Sequence, residues 1–141
     1  MSELVICDID EDLLKKIKKF KMRKEKNNAA IIMKINREKH LIVEDEELED
    51  ITIDEFREAL PTTQPSYSLV SYVHKHDDGR TSFPYFFLYV APQGCKPELQ
   101  MMYAGSKLRL IKEAQATKDF EVRSADEIDE EWLKEKLRFF R

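Results

Sequence analysis

Hydrophobic and polar positions alternate along this chain with the two periods that separate helices from strands, 3.6 and 2.0 residues. Asp8 followed by Glu11 reads as a capping pair, and Ile9, Leu13, Ile17 and Phe20 make one stripe, which predicts a first helix. Its lysines gather toward the end, where they favour the negative pole of the helix dipole. Ala29 to Ile35 is continuously apolar except for Lys34, the pattern of a strand covered on both faces. Asn36 to Lys39 reads as a turn, and His40 to Val43 as a second strand that runs into an acidic loop. Thr52 with Glu55 is a second capping box. Ile53, Phe56 and Leu60 predict a short helix that Pro61 stops. From Tyr67 to His76 the chain alternates, with Leu69 and Val73 on one side and Val70 and Tyr72 on the other. Asp78-Gly79 is a hairpin signal. Phe83 to Val90 is the return strand, with a bulge or unpaired stretch expected at Pro84. Phe120 to Arg123 predicts a short last strand. Asp129 caps a final helix, with Ile128 stapled onto Leu133, a stripe of Leu133, Leu137 and Phe140, and an i,i+4 pair of Glu130 and Lys134.

The most informative stretch is the long helix predicted from Pro97, which suits a first-turn position because its missing N–H has no partner there anyway. Leu99, Met102, Tyr103, Ser106, Leu110 and Ala114 share one face. Met101, Ala104, Gly105, Leu108 and Lys112 fall roughly opposite. A surface helix needs only one apolar stripe, yet this one is apolar and small on its second side as well. Gly105 costs such a helix about 1 kcal/mol relative to Ala. From spacing alone, that second side either meets another part of the core or is approached closely by another molecule.

The 141 residues make one domain's worth of chain, 1–141, and 42% hydrophobic with 37% charged residues provides a core under a charged surface. The net charge of -4 argues against nucleic acid as the main partner. Its distribution says more. From Lys15 to Lys26 eight of twelve residues are basic, from Glu44 to Asp50 six of seven are acidic, and Asp126 to Glu131 adds five acids in six. Such poles orient a protein on a charged surface, or are simply solvated. No apolar run approaches the roughly 18 residues of a membrane span. The first residues carry neither a basic n-region nor a long apolar h-region, so no secretion signal is expected. Cys7 and Cys95 are then expected as reduced thiols of a cytoplasmic protein.

Chemistry is sparse. Neither cysteine sits in a nucleophile motif, no glycine-rich phosphate loop is present, and the acids lie in surface-like runs. His74 and His76 share a strand face and could chelate, but the run His74 to Asp78 lacks a third and fourth ligand at zinc-like spacing. Both histidines are expected to be solvated beside the hairpin tip. The chain is expected to be no enzyme and to need no cofactor or metal.

Four segments carry a resemblance: Asn27 to Ile35 (NNAAIIMKI), His76 to Arg80 (HDDGR), Pro92 to Lys107 (PQGCKPELQMMYAGSK) and Glu130 to Phe140 (EEWLKEKLRFF). In order and over nearly the whole chain they resemble the actin-depolymerising-factor homology superfamily of cofilin, twinfilin and coactosin, and within it the glia maturation factor branch. The resemblance implies an α+β fold with a central mixed sheet of about five to six strands and helices on both faces. It also implies a monomer working in the cytoplasm, at the actin-rich cortex or lamellipodia.

In cofilin-like proteins, lysines around the first turn of the long helix help hold the filament. Here those positions are Glu98 and Gln100. The resemblance therefore implies weak or no binding to actin itself. It implies instead binding to the actin-related protein 2/3 complex, inhibition of branched nucleation and promotion of debranching. The implied contacts are Ser2, Glu3 and Leu4, then Gln100, Met101, Met102, Ala104, Gly105, Lys107, Leu108, Arg109 and Ile111; Met102 also belongs to the core stripe. A second edge would comprise Lys75, His76, Asp77, Asp78, Gly79 and Arg80 with Glu131, Lys134, Glu135 and Arg138. Ser2 and Tyr103 are candidate phosphorylation sites. Two alternatives stand beside this reading: a cofilin-like protein that depolymerises or sequesters actin, and a signalling regulator such as a kinase inhibitor.

Overall fold

A computed structural model describes residues 6–138. Eight strands and four helices follow in the order β1 (Asp8–Ile9), α1 (Glu11–Lys21), β2 (Ala29–Asn36), β3 (Leu41–Glu49), α2 (Ile53–Ala59), β4 (Ser66–Ser71), β5 (His74–Lys75), β6 (Thr81–Ser82), β7 (Tyr85–Val90), α3 (Pro97–Ala114), β8 (Lys118–Val122) and α4 (Glu130–Leu137). Six strands form one sheet in the order β1-β3-β2-β4-β7-β8, and β5 with β6 forms a separate hairpin. The sheet is mixed: β1 lies parallel to β3 and β8 parallel to β7, while the central pairs are antiparallel. The α+β class and the helix-flanked mixed sheet expected from the sequence are both present.

Alternation along β2 builds the two cores. Ala29, Ile31, Met33 and Ile35 face α1 and α3, joined there by Leu13, Ile17, Tyr67, Phe87, Tyr103 and Leu110. Ala30 and Ile32 face the other way, with Phe56, Val70, Phe86, Leu88, Leu133 and Leu137 beneath α2 and α4. A strand buried on both faces has no polar side to alternate, which is why its sequence reads as a solid apolar run.

Several local expectations change. Asp8 pairs as a strand residue with Leu41, and Asp10 caps α1 instead, accepting from the Leu13 N–H. The acidic run is no loop. It is the second half of β3, antiparallel to β2 with a register shift between Ile32 and Met33. Because β1 covers β3 only at Leu41 and Ile42, this half lies at the sheet border, and a row of carboxylates there discourages pairing with another chain. Lys16 reaches across from α1 to Glu44 at 2.5 Å and Glu47 at 2.9 Å, and Lys34 pairs with Asp45 at 3.5 Å, so the basic and acidic poles partly compensate each other. The strand expected from Phe83 is split: Phe83 and Pro84 separate β6 from β7, and the Pro84 carbonyl accepts from the Tyr72 N–H. Val73 lies outside β4, its N–H donating to Asn28 Oδ1. His74 is buried rather than solvated, its ring 4.4 Å from that of His76 in an edge-on arrangement. The last strand is Lys118–Val122 rather than Phe120 to Arg123.

The second capping box and the final N-cap stand as read. Thr52 and Glu55 exchange bonds at the start of α2, and Asp129 accepts from Trp132 N–H at 2.7 Å to start α4. Glu130 and Lys134 form no ion pair among the described residues, and Phe140 lies outside them.

Candidate functional site

The long helix is clamped along its inner side. Tyr103 is buried; its hydroxyl accepts from the Ile35 N–H at 2.9 Å, and its carbonyl accepts from the buried Tyr67 hydroxyl. Ser106 accepts from the Cys7 N–H at 2.9 Å, and the Ala114 carbonyl accepts from the Tyr85 hydroxyl at 2.9 Å. Burial pushes the hydroxyl pKa values of Tyr67, Tyr85 and Tyr103 above their ordinary range, so all three remain neutral hydrogen-bonding groups. Pro97 opens α3, and Gln115, in the left-handed region at φ 51°, closes it. The burial of Tyr103 overturns its candidacy as a phosphorylation site: a kinase would have to unfold the helix from the sheet to reach it. Ser2 lies outside the described residues, as do Glu3 and Leu4.

Fixing the inner side fixes the outer one. Met101 is 52% and Leu108 72% exposed, two turns apart, with the exposed Ala104 and half-buried Gly105 between them. Met102 and Ile111 are half-buried and pack against the core, so these two turn away from the outer face. At its borders, Gln100 donates to the Cys95 carbonyl at 3.4 Å. Lys107 lies 5.5 Å over the Tyr89 ring and 3.3 Å from Glu121, so its charge is drawn toward the sheet. Arg109 pairs with Asp8 at 2.9 Å. Cys7 and Asp8 thereby run alongside α3, and Ile6, 55% exposed, precedes them. Ile6 is a residue the sequence reading missed; its only signal is an apolar run ahead of the first capping residue. Beyond Arg109 an acidic hollow is lined by Asp8, Asp10, Glu11, Asp12 and Glu113. Glu98 is exposed.

The second predicted group is brought together in part. At the hairpin tip the His76 carbonyl accepts from the Gly79 N–H, and Gly79 takes φ 91°, a conformation open to glycine. Arg80 donates to Asp78 at 2.7 Å, and its neighbourhood holds the Asp78 carboxyl below the ordinary carboxylate range. Lys75, Asp77, Asp78, Gly79 and Arg80 are exposed, and His76 bonds Ser82 at 2.8 Å. On α4, Glu131, Lys134, Glu135 and Arg138 are exposed. The link between hairpin and α4 is a hollow lined by His74, Lys75, Glu130 and Lys134. Among the described residues no cluster of three His, Cys, Asp or Glu side chains has metal-binding geometry. Cys7 and Cys95 are both free thiols; burial pushes the Cys7 pKa up.

A sheet clamped between two helical layers, with an apolar face left outward on its longest helix, defines a protein of the cofilin type. The model of the family described as cofilin/tropomyosin-type actin-binding protein matches residues 6–138. Glia maturation factor beta from Homo sapiens is 57% identical over 141 residues, 99% of each chain, and the glia maturation factor of Drosophila melanogaster is 46% identical over 138 residues, 98% of this chain and all of that one. The solution structure of glia maturation factor from Caenorhabditis elegans superposes with a TM-score of 0.83 at 42% identity, covering 96% of this chain and 99% of that one. The Streptomyces griseoflavus cofilin structure, at 19% identity and a TM-score of 0.79 over 92% of this chain and 96% of that one, shares the fold. The chain belongs to the glia maturation factor branch of this actin-binding family, and its coarse role is regulation of the actin cytoskeleton.

Proposed function

We propose that this chain is a non-enzymatic regulator that binds the actin-related protein 2/3 complex, inhibits branched nucleation and promotes debranching, with weak or no hold on actin itself. The observation that carries the reading is the outer face of α3: Met101 and Leu108 stand in solvent on a helix whose inner side is locked, beside an exposed Glu98 and a Gln100 turned to its own backbone. An apolar blade of this kind suits an actin-like cleft. Replacing two lysines by an acid and an amide forgoes charge-assisted bonds worth about 1.5–3 kcal/mol each. The acidic hollow next to α3 adds to the mismatch with an acidic partner.

Seated in the cleft of an actin-related subunit, Met101, Ala104 and Leu108 would be buried, with Gln100, Lys107 and Arg109 at the border. The hairpin tip and α4 would reach a neighbouring subunit. Occupying both positions favours the branch-incompetent arrangement only if binding to that arrangement is tighter. The protein would act in the cytoplasm, at the actin-rich cortex.

Co-sedimentation with bare filaments against pull-down of the purified complex separates this reading from its actin-binding alternative. Met101→Asp is expected to fold normally and lose the complex; normal capture by the folded variant would remove α3 from the site. Arg80→Ala is expected to slow debranching under the microscope while inhibition of nucleation persists. Unchanged debranching would dismiss the hairpin edge.

A further inference from the structure

A third hollow, of about 370 Å³, lies at the far end of α1, walled by Phe20, Arg23, Lys24, Lys26, Phe83 and Tyr85. It is separate from the outer face of α3 and from the hairpin tip. One side is aromatic: the Phe20 and Tyr85 rings lie 5.9 Å apart, and Phe83 is 45% exposed, the one large aromatic ring so open among the described residues. The other side is cationic.

Its Arg23 is unusual. The side chain is only 9% exposed, and the guanidinium lies 5.7 Å over the Phe20 ring. Two of its N–H groups donate to Asn27, at 3.0 Å to the carbonyl and 2.6 Å to Oδ1. Among the described residues its one carboxylate partner, Glu25, stands 3.9 Å away and is itself 63% exposed. A buried guanidinium carries five donors in a rigid fork suited to a carboxylate. Here that demand is met by an amide and by a distant, solvated acid. Lys24 and Lys26 stand exposed on either side of Glu25. Lys21 is drawn away, donating to the Glu113 carbonyl and Gln115 at the end of α3.

We propose that this hollow binds an acidic segment of a protein partner: a carboxylate displaces Glu25 at Arg23, flanking carboxylates meet Lys24 and Lys26, and a neighbouring apolar or aromatic side chain enters against Phe83 and Tyr85. Charge complementarity selects the acidic sequence, and the aromatic wall selects a peptide over a bare anionic surface, because a lipid headgroup layer has no side chain to place there. The proposal is independent of the reading of α3.

The probe is a short fluorescein-labelled peptide of aspartates and glutamates around a single tryptophan, titrated into the full chain and followed by anisotropy and by backbone amide shifts. Saturable binding is expected, with shifts centred on Phe20 to Lys26, Phe83 and Tyr85. Lys24→Glu combined with Lys26→Glu, and separately Phe83→Ala, are each expected to weaken it roughly tenfold, the equivalent of 1.4 kcal/mol. Arg23→Lys keeps the charge and loses the fork, so it is expected to weaken binding even when its thermal melt matches the parent. Met101→Asp is expected to leave binding unchanged. The proposal is overturned if the peptide without tryptophan binds equally well, if Phe83→Ala has no effect, or if phosphatidylserine vesicles bind the chain and displace the peptide while amide shifts scatter over all lysines.

Discussion

Helices α1 and α3 lie side by side on one face of the same sheet, yet they treat solvent in opposite ways. Both bury a narrow stripe, Leu13, Ile17 and Phe20 on α1 and Tyr103, Leu110 and Ala114 on α3. On its outer side α1 shows Lys15, Lys18 and Lys19, while α3 shows Met101, Ala104 and Leu108. The sheet requires the inner stripes and places no demand on the outer faces. What stands there therefore reports on something other than folding. With Met101 52% and Leu108 72% exposed, only part of the about 1.5–3 kcal/mol that full burial gives each side chain is realised, and the rest becomes available when a partner covers them.

The contrast is broken most forcefully by comparing two leucines on the same helix. Leu110→Ala, at a fully buried position, is expected to cost about 2–5 kcal/mol in urea unfolding. Leu108→Ala, two residues earlier and 72% exposed, is expected to stay within about 0.5 kcal/mol of the parent. Equal losses would mean that the outer face of α3 is structural after all. A smaller effect sharpens the functional half of the comparison. Leu108→Asp is expected to weaken capture of the actin-related protein 2/3 complex more than tenfold, the scale of a truncated interface anchor. Lys19→Glu on α1 is expected to change it less than about twofold. A larger loss from Lys19→Glu would move the interface toward α1.

How much of the fold and of the site is legible in the sequence follows from which signals are local. The inner stripe of α3, the capping box at Thr52, the N-cap at Asp129, the break at Pro84 and the Gly79 turn are local chemistry, and each stands where the sequence puts it. The acidic half of β3 was misread because its strand character comes from pairing with β2 and from Lys16 and Lys34, none of which is adjacent in sequence. The capping residue moved from Asp8 to Asp10 because a parallel pairing with β3 claims Asp8 first, through its N–H to the His40 carbonyl. The burial of His74 was equally hidden: a histidine beside a turn looks solvated until α4 is folded over it. For the site, helical spacing identified the outer face of α3 but not the pairing of Asp8 with Arg109, which joins residues a hundred positions apart.

Two buried serines extend the comparison to the other face of the sheet. Ser106 on α3 is partnered by the Cys7 N–H, whereas Ser68 on β4 is fully buried and its hydroxyl has no hydrogen-bond partner among the described residues. Removing the first strands a buried donor, so Ser106→Ala is expected to cost about 1–3 kcal/mol. Removing the second strands nothing, and Ser68→Ala is expected to be neutral or to stabilise by up to about 1 kcal/mol. Chemical denaturation of the two variants side by side reads the difference directly, and a larger loss from Ser68→Ala would reveal an acceptor for its hydroxyl.

The smallest effect concerns the hairpin against the sheet. His74 is buried, with His76 at its side, Lys134 across from α4, Asp77 as an opposing charge and Glu130 lining the same hollow; burial foremost, then His76 and Lys134, hold its pKa below the ordinary 6.5. The folded protein therefore keeps His74 neutral where the unfolded chain would protonate it. Between the two pKa values the unfolded state binds more protons, so stability rises with pH across that window and is fully present above about 6.5. As the pH falls through the folded value the contribution is lost. Thermal melts between roughly pH 7.5 and pH 5 are expected to lose more Tm in the parent than in His74→Gln, whose side chain cannot take up the proton. Equal slopes would mean that His74 is protonated in the folded state as readily as in the unfolded one, and that the hairpin sits more loosely on α4 than the sheet helices sit on their strands.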